Sequence, residues 1–257
     1  MTGWNTPVTS STAVSGEREM VSYAEVPPVA IESLLPDDHH VDAMVVSLSG
    51  ATTPWLASLH RMAPLVFADV AWDDDSPSGG EFRDRLGMVD VFLPNAAEAL
   101  ACSGCATVEQ AAAKLSSYGP LVAVKDGGAG SMAACPGSDA TIRIPAVAVD
   151  AQDTTGAGDV FDAGFIYASL AGWPLVRRLR FANLCAAQSV RFIGGSLAAP
   201  CWRDLAAFCE SATGPEFVRD YGFLAPLLVN APTRRVCRRS CPGMTPLGAV
   251  TQSAGTR

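Results

Sequence analysis

Apolar residues in this chain come in short runs, separated by stretches in which they recur every three or four positions. Residues 43–48 (AMVVSL), 65–69 (LVFAD), 89–93 (VDVFL) and 121–125 (LVAVK) are compact and rich in β-branched or aromatic side chains, a pattern that predicts buried strands. Residues 132–134 and 142–149 add further strand-like runs. Between them lie helical patterns. Pro54 opens one over residues 54–62, since proline suits a first helical turn. Thr107 and Gln110 have capping-box spacing and open another, which passes through Lys114 to Tyr118 and stops at Gly119. Val160, Gly164, Tyr167 and Leu170 share one helical face, and Leu175, Leu179, Ala182, Ala186 and Val190 share another. Pro174 suits the start of this last helix, and Gly194 with Gly195 its end. Both stripes are expected to face the core.

Short strands alternating with helices predict an α/β fold: a mostly parallel sheet with helices on both faces. Ligands of such sheets bind beyond the carboxyl ends of the strands. The ends of the chain read differently. Residues 1–15 are rich in Ser and Thr without an apolar period, so a disordered start is expected there, while residues 16–23 read as a short strand. Beyond Phe208 the pattern dissolves. The expectation is a folded core over 16–210 and a basic, disordered tail over 211–257.

Composition narrows the class. At 257 residues, 49% hydrophobic and 17% charged, the chain is globular in character and can bury a sizeable core. No apolar run reaches the length of a membrane span and no signal peptide opens the chain, so a cytoplasmic protein without membrane partners is expected. The net charge of −8 argues against nucleic acid as a partner. Five arginines and no acid in residues 231–257 leave the rest of the chain five charges more negative still. Binding of a polyanion must then rely on local amides and metal. Cys102 and Cys105, with Cys237 and Cys241, have zinc-like spacings, but the first pair flanks a Ser-Gly turn and the second lies in the Pro/Arg-rich tail. Reduced, unpaired thiols are the expectation.

The richest chemistry sits at Asp153-Thr154-Thr155-Gly156-Ala157-Gly158-Asp159, between the strand-like run 142–149 and the helical run 160–170. A helix start presents unpaired N–H groups and the positive end of the helix dipole, and so attracts anions. Gly156 and Gly158 around Ala157 let the backbone approach a phosphate closely. Asp159 at the mouth of that site can take a proton from an attacking hydroxyl. Helix capping would explain one carboxylate and one hydroxyl. It leaves the second carboxylate and the Gly-Ala-Gly core unexplained.

This signature resembles that of the ribokinase-like (PfkB-type) carbohydrate kinases in all seven positions. The resemblance implies a three-layer α/β/α sandwich with a small β lid. It further implies an ATP-dependent phosphotransferase in which Asp159 is the base and the Gly156, Ala157 and Gly158 amides form an anion hole. Two upstream motifs occur in the family's order. Asn95-x-x-Glu98 follows the strand at 89–93 and, by the resemblance, helps hold Mg²⁺ and its waters; it also reads as a capped helix start. Lys125, Gly127 and Gly130 resemble a turn that lies against the nucleotide phosphates, although a glycine-rich hairpin has the same composition. Downstream, Asn183 falls on a position that lies against adenine. Asp153 and Thr155 fall on ligands of a potassium-type cation, a further ligand position being Ala198.

Other parts match less. Ser47 and Ser49-Gly50 fit a loosely kept Ser-Gly, residues 16–23 a lid strand that often mediates dimers, and Asp69 the first residue of a D-x-N-x-R whose Asn and Arg do not follow. Asp73, Asp74 and Asp75 read as a solvated loop. The resemblance spans about residues 16–210 and lacks the sugar-gripping motifs, so the expectation is an N-terminally truncated kinase for a sugar-like acceptor. The alternative is a nucleotide-binding or interaction protein that has lost catalysis. No G-x-G-x-x-G follows the first strand, which speaks against a dinucleotide oxidoreductase.

Overall fold

A computed structural model describes residues 5, 8–14, 17–23, 25, 40–48, 54–70, 79–138, 140–212 and 214–229. The Ser49-Gly50 pair, the Asp73, Asp74 and Asp75 run, Cys237, Cys241 and the arginine-rich stretch lie outside these residues. The chain divides into two compact units, Met1–Val41 and Asp42–Arg257.

In the first unit, strand β1 (Val8–Val14) pairs antiparallel with β2 (Glu17–Tyr23), in a register running from Val8 opposite Tyr23 to Val14 opposite Glu17. The disordered start expected for residues 1–15 is therefore corrected over Val8–Val14. That segment has no apolar period, but it is Val- and Thr-rich and finds a partner only two residues away in sequence, a hairpin's closing distance. Beyond the hairpin's open end, Asn5 donates from its backbone N–H and Nδ2 to the Glu25 carboxylate, at 3.2 and 3.1 Å.

In the second unit, six strands among the described residues form one sheet in sequence order. They are β3 (Met44–Ser47), β4 (Val66–Asp69), β5 (Val91–Phe92), β6 (Leu121–Lys125), β7 (Ser131–Ala134) and β8 (Thr141–Ile144). Pairings from β3 to β6 are parallel; β6–β7 and β7–β8 are antiparallel. Residue alternation then decides the layers. Val66, Ala68, Val122, Val124, Met132 and Ala134 point to one face. Phe67, Ala123 and Ala133, the residues between them, point to the other.

The first face is covered by α1 (Gly80–Leu86), α2 (Ala96–Ser103), α3 (Val108–Ser116) and the 3₁₀ helix Pro54–Arg61, through Phe82, Leu86, Ala99, Leu115, Leu56 and Leu59. The second is covered by α4 (Ala157–Leu170) and α5 (Leu175–Ser189), through Phe161, Phe165, Leu179 and Ala182. This is the three-layer ribokinase-like α/β fold. Helix α1 has too little apolar period to be read from sequence: Phe82 and Leu86 are its only buried apolar residues, beside the buried Arg85.

Helices α4 and α5 cross where α4 carries Gly164. A Cβ there would lie 3.2 Å from the Ala182 Cα and 3.3 Å from the Cys185 side chain. The buried stripe of α4 is rotated from the expected one: Val160, Phe161, Phe165 and Ala168 are buried, while Tyr167 and Leu170 are 43% and 47% exposed. Helix α5 ends at Ser189, five residues before Gly194.

The expected tail is also corrected in part. Helix α6 (Trp202–Ser211) is followed by α7 (Pro215–Tyr221) and α8 (Ala225–Val229). Tyr221 and Leu224 are buried against Val160, Phe181, Leu184 and Leu205, a third apolar cluster on the outer side of α4 and α5. Aromatic rings at uneven spacing build this cluster, which is why no period announced it.

Candidate active site

The parallel strands end on one edge of the sheet, and polar residues gather there. Asp69 closes β4, Lys125 closes β6, and Asn95, just past β5, forms a parallel bridge to Lys125. Facing them is the start of α4.

Strand β8 stops at Ile144, short of the run to residue 149 expected from sequence. Pro145 has no N–H to continue a ladder. The neighbouring carbonyls are taken by Asn183, whose Nδ2 donates to Ile144 O and Pro145 O, both at 3.2 Å. Asn183 is 6% exposed. It fastens α5 to the exit of β8.

Residues 145–156 then lead without regular structure to Gly156, which takes φ +71°, a left-handed conformation natural to glycine. No side chain caps α4. The N–H groups of Gly158 and Asp159, in its first turn, have no acceptor among the described residues. They form the donor set expected of an anion site, and Asp159 stands exposed beside them.

Asp153 organises the turn. One carboxylate oxygen accepts the Thr155 N–H at 2.9 Å, the other the N–H groups of Gly194 and Gly195 at 3.1 and 3.4 Å. The Thr155 hydroxyl and these amides hold the carboxyl well below the usual carboxylate range.

Beneath the turn lies an ion cluster that sequence reasoning saw only in parts. The Lys125 Nζ is 3.0 Å from Asp69 Oδ2, and 3.2 and 3.0 Å from the two oxygens of Asp162 on α4. The ammonium is thereby shared between two carboxylates. Burial pulls Lys125 down, but the Asp162 and Asp69 charges outweigh it and hold the ammonium above the ordinary lysine range. Asp162 is pushed up to about 8, first by burial and then by Asp69, against the opposing pull of Lys125. The Lys125 nitrogen lies 3.7 Å from where a Cβ on Gly158 would sit, so Lys125 braces the signature helix from below. Asp162 went unnoticed in the sequence, although a carboxylate between Phe161 and Phe165 on a buried helical face was a visible signal.

The turn after Lys125 keeps its predicted form. Gly127 to Ala129 make one 3₁₀ turn, closed by the Asp126 N–H to Gly130 O at 2.8 Å. Gly127 is exposed with open space around its α-carbon. Gly130, at φ +99°, presses on β8, where a Cβ would collide with the Ile144 carbonyl and the Ala146 amide. Arg143 bridges Asp126 at 2.9 Å and Glu109 at 2.6 Å, tying the turn to α3.

Asn95 and Glu98 form a complete capping box at the start of α2. Asn95 Oδ1 accepts the Glu98 N–H at 2.9 Å and Glu98 Oε2 accepts the Asn95 N–H at 2.7 Å. Burial raises the Glu98 carboxyl. The other Glu98 oxygen accepts no hydrogen bond among the described residues, and the charges of Asp69 and Lys125 act on the carboxyl. A magnesium ion that keeps most of its waters needs little more from protein. The groups therefore fit Mg²⁺ through Glu98 and water, with Asn95 as the cap that aims it. Among the described residues no trio of His, Cys, Asp or Glu could hold a metal ion. Cys102, on the same helix, is pushed up to about 12, chiefly by burial.

Beside the turn opens a 390 Å³ cleft lined by Val149, Asp150 and Gln152 on one side and by Arg191, Phe192 and Phe208 on another. The Arg191 guanidinium lies 5.7 Å from both phenyl centroids. No helix among the described residues is long and apolar enough to cross a membrane.

An α/β sandwich whose strand ends face an uncapped Gly-Ala-Gly helix start defines the class of protein. Residues 44–201, more than half of the chain, match the profile of the pfkB family of carbohydrate kinases, and the chain belongs to that family. Among relatives, it is 31% identical over 146 residues to an uncharacterised sugar kinase of Archaeoglobus fulgidus, covering 54% of this chain and 57% of that one. The ribokinase of Thermotoga maritima superimposes with a TM-score of 0.63 at 24% identity, over 80% of this chain and 70% of that one. The Arabidopsis thaliana ribokinase complexed with ribose and ATP does so with 0.60 at 22%, over 75% and 65%. The chain thus spans little more than half the length of the archaeal relative.

Proposed function

We propose that this protein transfers the γ-phosphoryl group of ATP to a hydroxyl of a sugar or sugar-like acceptor. The observation that carries the proposal is the start of α4: free first-turn amides at Gly158 and Asp159, with the Asp159 carboxylate exposed beside them. Phosphoryl transfer asks little covalent chemistry of a protein; it asks for position and for donors where charge develops. The free amides of Gly158 and Asp159 supply donors that need no reorganisation, while the Ala157 N–H already meets the Thr154 carbonyl at 3.3 Å. Asp159 accepts the proton of the attacking hydroxyl. Lys125 and Asp162 fix the helix from beneath, so that its donors stay aimed at one point. Magnesium, when bound with the nucleotide, neutralises phosphate charge, and Glu98 is the group that would meet its water shell.

The test is ADP release from Mg·ATP across a panel of sugars and nucleosides. Acceptor-dependent release is expected, and Asp159→Asn should lower turnover by about 10²–10⁴ with nucleotide affinity nearly unchanged. Wild-type turnover in that variant would remove Asp159 as the base. Nucleotide binding without release for any acceptor would favour the second reading, a nucleotide-binding protein that does no transfer.

A further inference from the structure

Family resemblance implies a monovalent cation held by Asp153 and Thr155 beside the anion site. The groups present do not fit one. A carboxylate offers about four lone-pair positions. Those of Asp153 meet three donors at hydrogen-bond distance, the Thr155 N–H and the amides of Gly194 and Gly195, and the Thr155 hydroxyl adds to the stabilisation of the charge. Each points a positive hydrogen at the carboxylate, where a cation would have to sit. Ala198, at the remaining ligand position, is 4% exposed and brings a methyl group where the resemblance expects a polar side chain. The two loops already touch: a Cβ on Gly156 would lie 2.5 Å from the Ser196 nitrogen.

We infer that Asp153 is itself the clasp between the signature turn and the loop at 194–198, standing in for a monovalent cation, and that anion binding at the start of α4 is independent of potassium and sodium. Asp153 is in this sense a positioning residue. It touches no reacting atom, but it joins backbone segments 41 residues apart that shape the donor set.

Two readouts test this. In the first, Mg·ADP binding is measured calorimetrically in potassium, sodium and tetramethylammonium chloride at equal ionic strength. Dissociation constants within about twofold are expected, and a potassium-specific tightening of about tenfold would overturn the inference. In the second, the melting temperature of the nucleotide-free protein is compared in the same salts. Agreement within about 1 °C is expected, and a potassium-specific rise above about 3 °C would overturn it. The first readout rests on the proposed function and the second does not, so a protein that binds no nucleotide fails that proposal while the melting curves still decide this one. Asp153→Ala should lower the melting temperature by about 4–8 °C in every salt; an unchanged value would remove the clasp. Ala198→Ser should leave binding insensitive to the cation. If the added hydroxyl made it potassium-dependent, a missing ligand and not an already occupied carboxylate would be the cause, and the inference would fall.

Discussion

At the scale of single residues, Lys125, Asp69 and Asp162 show how a charged group is spent where sequence cannot see it. Two carboxylates share one ammonium at 3.0 Å. Removing one partner of such a buried set leaves an uncompensated charge, so Lys125→Met should cost about 3–5 kcal/mol, read from urea denaturation midpoints. The raised Asp162 carboxyl has a definite consequence for pH. The folded protein keeps a proton that the unfolded chain releases near pH 4, so this contribution to stability is whole below that pH and is lost as pH rises towards about 8. Unfolding free energy should fall over that window, and Asp162→Asn should flatten the decline. Glu98 is raised as well and acts with the same sign, so the slope should shrink without vanishing. Asp153, held low, acts oppositely, and only as pH drops through its folded value. A slope unchanged by Asp162→Asn would show that the proton resides elsewhere.

At the scale of elements, the start of α4 depends on one backbone conformation and one close approach. Gly156→Ala would place a methyl group at φ +71° and 2.5 Å from the Ser196 nitrogen, so the turn and the loop at 194–198 must part. A loss of about 1–3 kcal/mol is expected, together with weaker nucleotide binding. Stability lost without any change in binding would mean that the loop does not shape the anion site. Elements also explain which predictions were legible. Strands β3, β4 and β6 were readable because each is a short apolar run between turn residues, and both faces of the sheet are covered. Strand β8 was overestimated because the apolar run 146–149 continues its composition while Pro145 and the Asn183 amide end its ladder.

At the scale of the whole molecule, the C-terminal helices belong to the fold. Tyr221 and Leu224 bury themselves against the outer side of α4 and α5, where Phe181 also stacks on Trp202 with ring centroids 5.7 Å apart. Ending the chain after residue 211 should therefore expose Val160 and Leu184 and lower the melting temperature by more than about 5 °C. Leu224→Ala alone should cost about 2–5 kcal/mol. An unchanged melting curve in the shortened chain would show this packing to be energetically idle.

Amino-acid order by itself determined the sandwich and the place of the uncapped helix start, because both follow from local demands. A two-residue period makes strands, a left-handed turn selects Gly156, and an uncapped helix start attracts anions wherever it stands. Only the tertiary structure decided what the remaining polar side chains do. Lys125, Asn183 and Asp153 each hold hydrogen bonds to groups that the fold brings near in space. Hydrogen-bond satisfaction is counted through space, between segments dozens of residues apart, and no pattern along the chain records that count.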